Sequence, residues 1–326
     1  MNTADADRSL ADLSLAFSRM REQLDTVILG QPSMKERTLL CLLAGGHGLL
    51  EGAPGTGKTL LALAISRLLG CRFRRIQFTP DLMPVDLLGT NVFNQKTQEF
   101  AFQAGPVFTD VLLADEINRT TPRTQSALLE AMQERAVTID GQRLPISPVF
   151  FVLATQNPVE YEGTYPLPEA QKDRFLLKIE VDYPEQADEV AMLRAYAAGR
   201  SLHESALGQL TPVLDAAGLD AAIRAVATHV RVEERLLVYI REVVAATRAI
   251  DGVQLGAGPR ASRALLSGAR AMAALRGRDF ITPDDVKELA PAVLAHRVTL
   301  SPEAEMEGLD LTGLTRQIFE RVEVPR

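Results

Sequence analysis

Apolar residues recur at helical spacing in KERTLLCLLAGG and again in LLALAISRLLG, the stripe of a helix lying against a core. Between them GLL reads as a short buried strand, separated from the second helix by a run of glycines. CRFRRIQF alternates and predicts a second strand. VLLAD, PVFFVLAT and FLLKIEV are short apolar runs that predict a third, fourth and fifth. TPRTQSALLEAMQER has helical spacing, with Thr121 as a cap and Pro122 at the first helical position. Strands separated by helices predict a parallel, doubly wound sheet. Two segments interrupt the alternation. NVFNQKTQEFAFQAG and AVTIDGQRLPI each read as a hairpin, the second on the tight-turn pair Asp140-Gly141.

Past Tyr183-Pro184 the pattern turns almost entirely helical. In RLLVYIREVVAATRAI the positions Leu236, Ile240, Val243 and Val244 keep helical spacing. Another helix is expected to open at Pro259, and ITPDDV carries a capping box from Thr282 to Asp285 around Pro283. The expected organisation is an N-terminal tail or helix over 1–24, an α/β domain over 25–183, and a smaller all-α domain over 184–326.

A length of 326 residues agrees, being too long for one compact core. The 46% hydrophobic and 24% charged residues are those of an ordinary globular protein. The net charge of −7 argues against a broad electrostatic grip on nucleic acid. Cys41 and Cys71 follow no pairing pattern and read as buried thiols in a reducing compartment. No apolar run approaches the ~20 residues of a membrane span, and the polar, acidic start lacks a signal-peptide core. A cytoplasmic protein is expected. His47, His203, His229 and His296 are scattered singles without metal-ligand spacing.

The glycine run carries the first candidate chemistry. Gly52-Ala53-Pro54-Gly55-Thr56-Gly57-Lys58-Thr59 is G-x-x-x-x-G-K-T, placed between a predicted strand and the helix that continues from Leu60. Missing side chains let backbone N–H groups converge on phosphate oxygens. The helix start aims its positive dipole end at them. Lys58 would neutralise the β- and γ-phosphates, and the Thr59 hydroxyl would reach Mg²⁺. Hydrolysis needs a second metal anchor and a means of orienting water. Asp115 and Glu116, at the end of VLLADE, supply both: the first for the metal shell, the second to polarise the attacking water. Asn157, just past the fourth strand, offers an amide for the water or the γ-phosphate.

These residues resemble the AAA+ ATPases, and within them the MoxR family. The resemblance rests on VILGQ, EGAPGTGKT, RIQFTPDLMPVDLLG, GPVFTDVLLADEINRTTPRTQSALLEAMQE, FVLATQNPVEYEGTYPLPEAQKDRF, GPRASRALL and ITPDDV, which span most of residues 25–300. Both hairpins fit that clade. One departure is Arg123 in TPRTQ, where a lysine is expected. The resemblance implies a P-loop (AAA+) α/β domain with a helical lid, using ATP and Mg²⁺. It implies that Arg174, in QKDRF, is an arginine finger entering a neighbouring subunit's site. It implies that Arg260 is a second sensor acting in its own subunit from the lid, with Arg263 one turn on as the alternative contact. Ile28, Leu29 and Gln31 match the segment lining an adenine pocket. Gln77 falls where a polar residue restrains Glu116, and Arg119 either meets a neighbour's nucleotide or forms a surface ion pair.

The resemblance further implies a ring, typically a homo-hexamer, whose hydrolysis cycle rotates rigid bodies against one another. The implied task is chaperone-like: remodelling, maturation or metal-cofactor insertion in partner protein complexes. A partner with a von Willebrand factor A domain is implied too. It would be a separate chain, because no D-x-S-x-S occurs here. Two alternatives stay open, the motor subunit of a metal chelatase and a nucleic-acid motor. The latter needs positive hairpin tips, yet Asp140 offsets Arg143 and Glu99 offsets Lys96.

Overall fold

A computed structural model describes residues 3–96, 98–157, 164–198 and 204–325. His203 lies outside the described residues. The chain opens with α1 (Thr3–Val27) and α2 (Pro32–Leu43), then β1 (Gly48–Gly52) and α3 (Lys58–Leu68). β2 (Phe73–Gln77) and α4 (Pro84–Leu88) precede a hairpin of β3 (Gly89–Asn94) and β4 (Glu99–Ala104). β5 (Val111–Asp115) and α5 (Pro122–Glu134) lead to a second hairpin, β6 (Ala136–Ile139) and β7 (Gln142–Pro145). β8 (Phe151–Gln156), α6 (Glu169–Lys172) and β9 (Leu177–Val181) follow. Then come α7 (Gln186–Ala197), α8 (Glu204–Leu207), α9 (Ala216–His229), α10 (Glu234–Ala246), α11 (Pro259–Leu275) and α12 (Pro283–Leu294), with two more helices at 302–306 and 311–321.

The central sheet has the order β2–β5–β8–β1–β9, with every pairing parallel. Its inner strands β5 and β8 bury both faces, which explains why the sequence shows continuous apolar runs there, while the edge strand β2 is largely exposed. Alternate residues serve opposite layers. Leu50, Leu113, Leu153 and Ile179 join a cluster with α1, α2, α3 and the C-terminal helices. Leu49, Leu112, Ala114 and Val152 join a second cluster with Phe78 and the Leu128, Leu129 and Met132 side chains of α5. The chain is thus an α/β doubly wound sheet followed by a helical lid.

The N-terminal segment, expected as a tail or helix, is a helix whose Phe17, Met20 and Leu24 are buried. They share one cluster with Leu265 and Met272 of α11. Burying side chains of this size contributes roughly 1.5–3 kcal/mol each. The hydrophobic core therefore runs without a break from the sheet through α1 into the lid.

Neither hairpin pairs with the central sheet. The β6–β7 turn has positive φ at both Asp140 (49°) and Gly141 (79°), as a type I′ turn requires. Asn91 Nδ2 donates to Asp140 Oδ2 at 2.6 Å, tying the two hairpins together. The Thr282 capping box forms: Asp285 Oδ2 accepts from the Thr282 N–H at 2.8 Å while Thr282 Oγ1 accepts from the Asp285 N–H at 3.4 Å. Thr121 stands at the N-cap of α5, but its hydroxyl makes no capping bond.

Cys41 and Cys71 are both unpaired, the first buried and the second half-buried. Burial pushes their thiols up to about 12 and about 11, so both are inert protonated thiols. Among the described residues no cluster of three or more His, Cys, Asp or Glu could hold a metal ion, and no helix is long and apolar enough to cross a membrane. His229 ends α9, half-buried. His47 and His296 are both buried. His47 Nδ1 accepts from the Val152 N–H at 3.1 Å and Nε2 donates to the Met132 carbonyl at 3.3 Å, so the folded ring is neutral.

Burial lowers the His47 pKa from 6.5 to about 4, and the His296 pKa falls for the same first reason. The unfolded chain therefore binds protons that the native state refuses, and stability rises with pH across that window. We expect folding free energy to be full above the unfolded pKa and to fall between pH ~6.5 and ~4, by on the order of 3 kcal/mol for His47 alone. Urea midpoints across that range check this; a His47→Gln variant should show a shallower fall.

Candidate active site

The phosphate-loop sequence folds onto the carboxyl edge of the sheet. β1 ends at Gly52, where a Cβ would sit 2.1 Å from the Val181 carbonyl of β9. Only glycine lets the two backbones approach so closely. Gly55 and Gly57 then take φ of 79° and 91°, the left-handed region that costs other residues strain. The turn delivers the chain into α3 at Lys58, whose first N–H groups have no helical partner. Lys58 Nζ donates to the carbonyls of Gly52 (2.6 Å) and Ala53 (2.8 Å). Burial lowers its pKa, opposed by Asp115 and Glu116.

A cleft of about 600 Å³ opens over this loop, lined by Gly52, Pro54, Gly55, Thr56, Gly57, Lys58, Thr59 and Leu60. Asp115, Glu116 and Asn157 line it from β5 and β8, and Ile28, Leu29 and Gln31 from the segment between α1 and α2. Ala53 is not among the lining residues; its carbonyl accepts from Lys58 Nζ. Gln31 commits its side-chain amide to the Asp182 carbonyl, so it braces the wall rather than offering a free group.

Asp115 and Glu116 are fixed by their neighbours. Glu116 has φ 58°, a left-handed position, which costs a non-glycine residue roughly 1–2 kcal/mol. Thr155 of β8 holds the turn: its hydroxyl donates to Asp115 Oδ1 at 2.6 Å and accepts from the Glu116 N–H at 2.8 Å. From β2, whose register sets Gln77 against Asp115, two same-face residues reach across. Arg75 Nη2 and Nε donate to Asp115 Oδ2 at 2.7 and 3.2 Å. Gln77 Nε2 donates to Glu116 Oε2 at 2.6 Å, and Arg119 Nη1 meets the same oxygen at 3.0 Å. Gln77 thus sits where the sequence placed it, and Arg119 forms an ion pair within its own chain. The Asn118 side-chain amide donates to the Asn157 carbonyl at 3.4 Å.

Several lining residues carried no earlier signal. Arg75 was legible in principle, since β2 alternation puts it beside Gln77. Thr155 sits two residues before Asn157. Leu63, Pro184, Met192, Tyr196 and Leu207 add an apolar wall; four of these come from the α7–α8 region, which tertiary packing alone brings to the cleft.

Arg174 and Arg260 lie elsewhere. β9 starts at Leu177, in register with Gly48, whereas the phosphate loop leaves β1 after Gly52. Four strand steps, from Gly48 to Gly52, separate the two levels by ~13 Å. Arg174 precedes β9 and therefore sits at the amino edge of the sheet. Arg260, expected to serve its own subunit's cleft, is at that same edge. Its guanidinium lies 3.6 Å from Asp173 Oδ2 and donates to Gln133 Oε1 at 3.3 Å. In this structure Arg260 is not among the residues lining the phosphate-loop cleft: α11 packs along α2 and α12 and starts beside Asp173. Arg174, Arg260 and Arg263 line one cavity of about 270 Å³ with Arg135 and Arg297, and Asp173 is the acid among its lining residues.

A family model described as "ATPase family associated with various cellular activities (AAA)" matches residues 47–177, and one described as "AAA lid domain" matches 245–320. Chaperone MoxR1 of Mycobacterium tuberculosis is 42% identical over 313 residues, covering 93% of this chain and 81% of its own. The chain belongs to the MoxR family of AAA+ ATPases. A Bacillus subtilis protein, YeaC, is 46% identical over 96% of both chains. A crystal structure of a Cytophaga hutchinsonii protein, described as a candidate ATPase, aligns with TM-score 0.89 at 38% identity over 99% of each chain. The similarity spans both the sheet and the lid, so the family fold applies to the whole chain.

Gly52→Ala should destabilise the fold by ~1–3 kcal/mol, because the added methyl meets a strand carbonyl that cannot move aside. The urea midpoint measures it; an unchanged midpoint would show that β9 does not press on β1 there.

Proposed function

We propose that this MoxR-family chain binds Mg-ATP in the cleft and hydrolyses it at a seam between two copies. One observation carries the reading. The loop and acid pair stand at the carboxyl edge of the sheet, and the arginines that would complete the site stand at the amino edge. A chain cannot fold its own Arg174 onto its own phosphate loop across that depth, but a neighbour packed head-to-tail supplies it. Such heterologous contacts close into rings, and a homo-hexamer fits the family.

In this reading the N–H groups of Gly55 to Leu60 and the Lys58 ammonium bind the polyphosphate. The Thr59 hydroxyl and the Asp115 carboxylate are hard oxygens that fit Mg²⁺, and Arg75 already shows that Asp115 holds a cation. The metal, when bound, neutralises charge developing on the phosphate oxygens. Glu116 orients the attacking water and takes its proton once released from Gln77 and Arg119; Asn157 holds the water or the γ-phosphate. Arg174, with Arg260 or Arg263, reaches the next subunit's γ-phosphate, an effect worth ~10³–10⁵ in rate in other NTPases. Ile28, Leu29 and the apolar wall cover the base.

The hydrolysis cycle then drives chaperone-like remodelling or maturation of a partner complex, including metal-cofactor insertion. It acts with a separate von Willebrand factor A domain protein in the cytoplasm, where unpaired thiols persist. A nucleic-acid motor is disfavoured by the β6–β7 tip, where Asp140 is held by Asn91. ATPase stimulation by DNA would revive it, and a tetrapyrrole-binding partner would favour the chelatase.

Glu116→Gln should keep ATP binding and lose ~10²–10⁴-fold in turnover, whereas Lys58→Ala should weaken binding about tenfold or more. Rings mixed from Arg174→Ala and Glu116→Gln subunits should regain activity that neither variant has alone. Full-rate hydrolysis by a single unassociated chain would overturn the shared-site reading.

A further inference from the structure

Arg297 lies three residues past the end of α12, and its side chain is 3% exposed. Burying a guanidinium is costly unless every donor is used. Here all three nitrogens are used, and all but one of their bonds go to a single short segment. Nε donates to Asp173 Oδ1 at 2.7 Å, Nη1 to the Leu176 carbonyl at 3.1 Å, and Nη2 to the carbonyls of Asp173 (3.3 Å) and Phe175. The remaining bond, Nη1 to the Val293 carbonyl at 2.6 Å, anchors the group to its own helix. The neighbouring His296 Nε2 adds a bond to the Phe175 carbonyl at 3.1 Å. The residue inside this grip is Arg174. Its backbone is clasped on both sides, and its own Nε is buried without a hydrogen-bond partner.

We propose that Arg297, together with Asp173, is the positioning group for Arg174. The Asp173 carboxylate is shared: Oδ1 goes to Arg297 and Oδ2 faces Arg260 at 3.6 Å. One carboxylate therefore joins the start of α11 and the end of α12 to the turn that carries Arg174. The lid and the arginine turn form one rigid body, and the direction in which Arg174 leaves the amino edge is set from the lid. The fork geometry is required. A lysine keeps the charge but cannot span a carboxylate and three carbonyls. The proposal rests on the reading that Arg174 works in a neighbouring subunit.

The test uses full-length Arg297→Lys, with Asp173→Asn as a second variant that removes the carboxylate charge at a side chain only partly buried. Thermal midpoint, assembly state and affinity for a fluorescent ATP analogue are measured first, because each variant's own cleft is untouched and should bind normally. Turnover should fall about 10–100-fold, the cost of displacing a reacting group by ~1 Å, with KM unchanged. Mixing either variant with Glu116→Gln subunits should restore turnover, since the variant's intact cleft then meets an intact Arg174. A merely structural role would not give that recovery. Wild-type turnover in assembled rings of both variants would overturn the proposal. So would a loss that mixing fails to recover while the loss in Arg174→Ala is recovered. If Arg174→Ala is not recovered either, the shared-site reading fails and this proposal falls with it.

Discussion

A parallel sheet has a direction. All its strands end on one edge, where turns into helices leave backbone N–H groups pointing outward, and all begin on the other. In this chain β1, β5 and β8 end together, which is why a glycine loop, an acid pair and an amide separated by a hundred residues of sequence face one cleft. The same polarity sends whatever precedes β9 to the far edge. Arg174 is placed by that constraint and not by any contact with the cleft. Strand direction alone therefore puts the glycine loop and Arg174 at opposite edges of one copy.

The two acids at the carboxyl edge are held differently, and the difference follows from β2. Because Arg75 and Gln77 share one face of that strand, a cation meets Asp115 and a neutral amide meets Glu116. A guanidinium and a threonine hydroxyl fix the Asp115 carboxylate through both of its oxygens. A carboxylate held through an amide and an arginine on one oxygen is restrained yet keeps the other oxygen clear of those two bonds. The strained turn at Glu116 is maintained by Thr155 from the adjacent strand, so the geometry of the pair depends on β5–β8 register.

What the residues disclosed, and what they did not, divides along this line. Features set by local pattern were legible: the strand–loop–helix around Lys58, the acid pair ending an apolar run, the Asp140-Gly141 turn, the Thr282 box. So was the order of strands and helices, because the central strands β5 and β8 are continuous apolar runs buried on both faces and β2 alternates at the sheet edge. Features set by how distant helices pack were not. Tyr196 and Met192 carry no periodic signal that they line a cleft. The place of Arg260 beside Asp173 was not legible either, because a resemblance transfers the residue but not the angle of the lid. Thr121 shows the limit in the other direction, since a favourable cap residue stands in place without making its bond.

The lid angle itself has a physical cause in this chain. Phe17, Met20 and Leu24 of α1 belong to one apolar cluster that also takes in the sheet and α11. Opening a hinge between sheet and lid would expose that cluster to water, at a cost of ~25 cal/mol for each Å². Arg297 and His296 add a polar latch at the amino edge, where their donors satisfy carbonyls of the Phe175 turn. The start of α11 is therefore docked away from the phosphate loop, where Arg260 and Arg263 share one cavity with Arg174. A segment the sequence leaves as a tail or helix thus belongs to the core that holds the lid against the sheet.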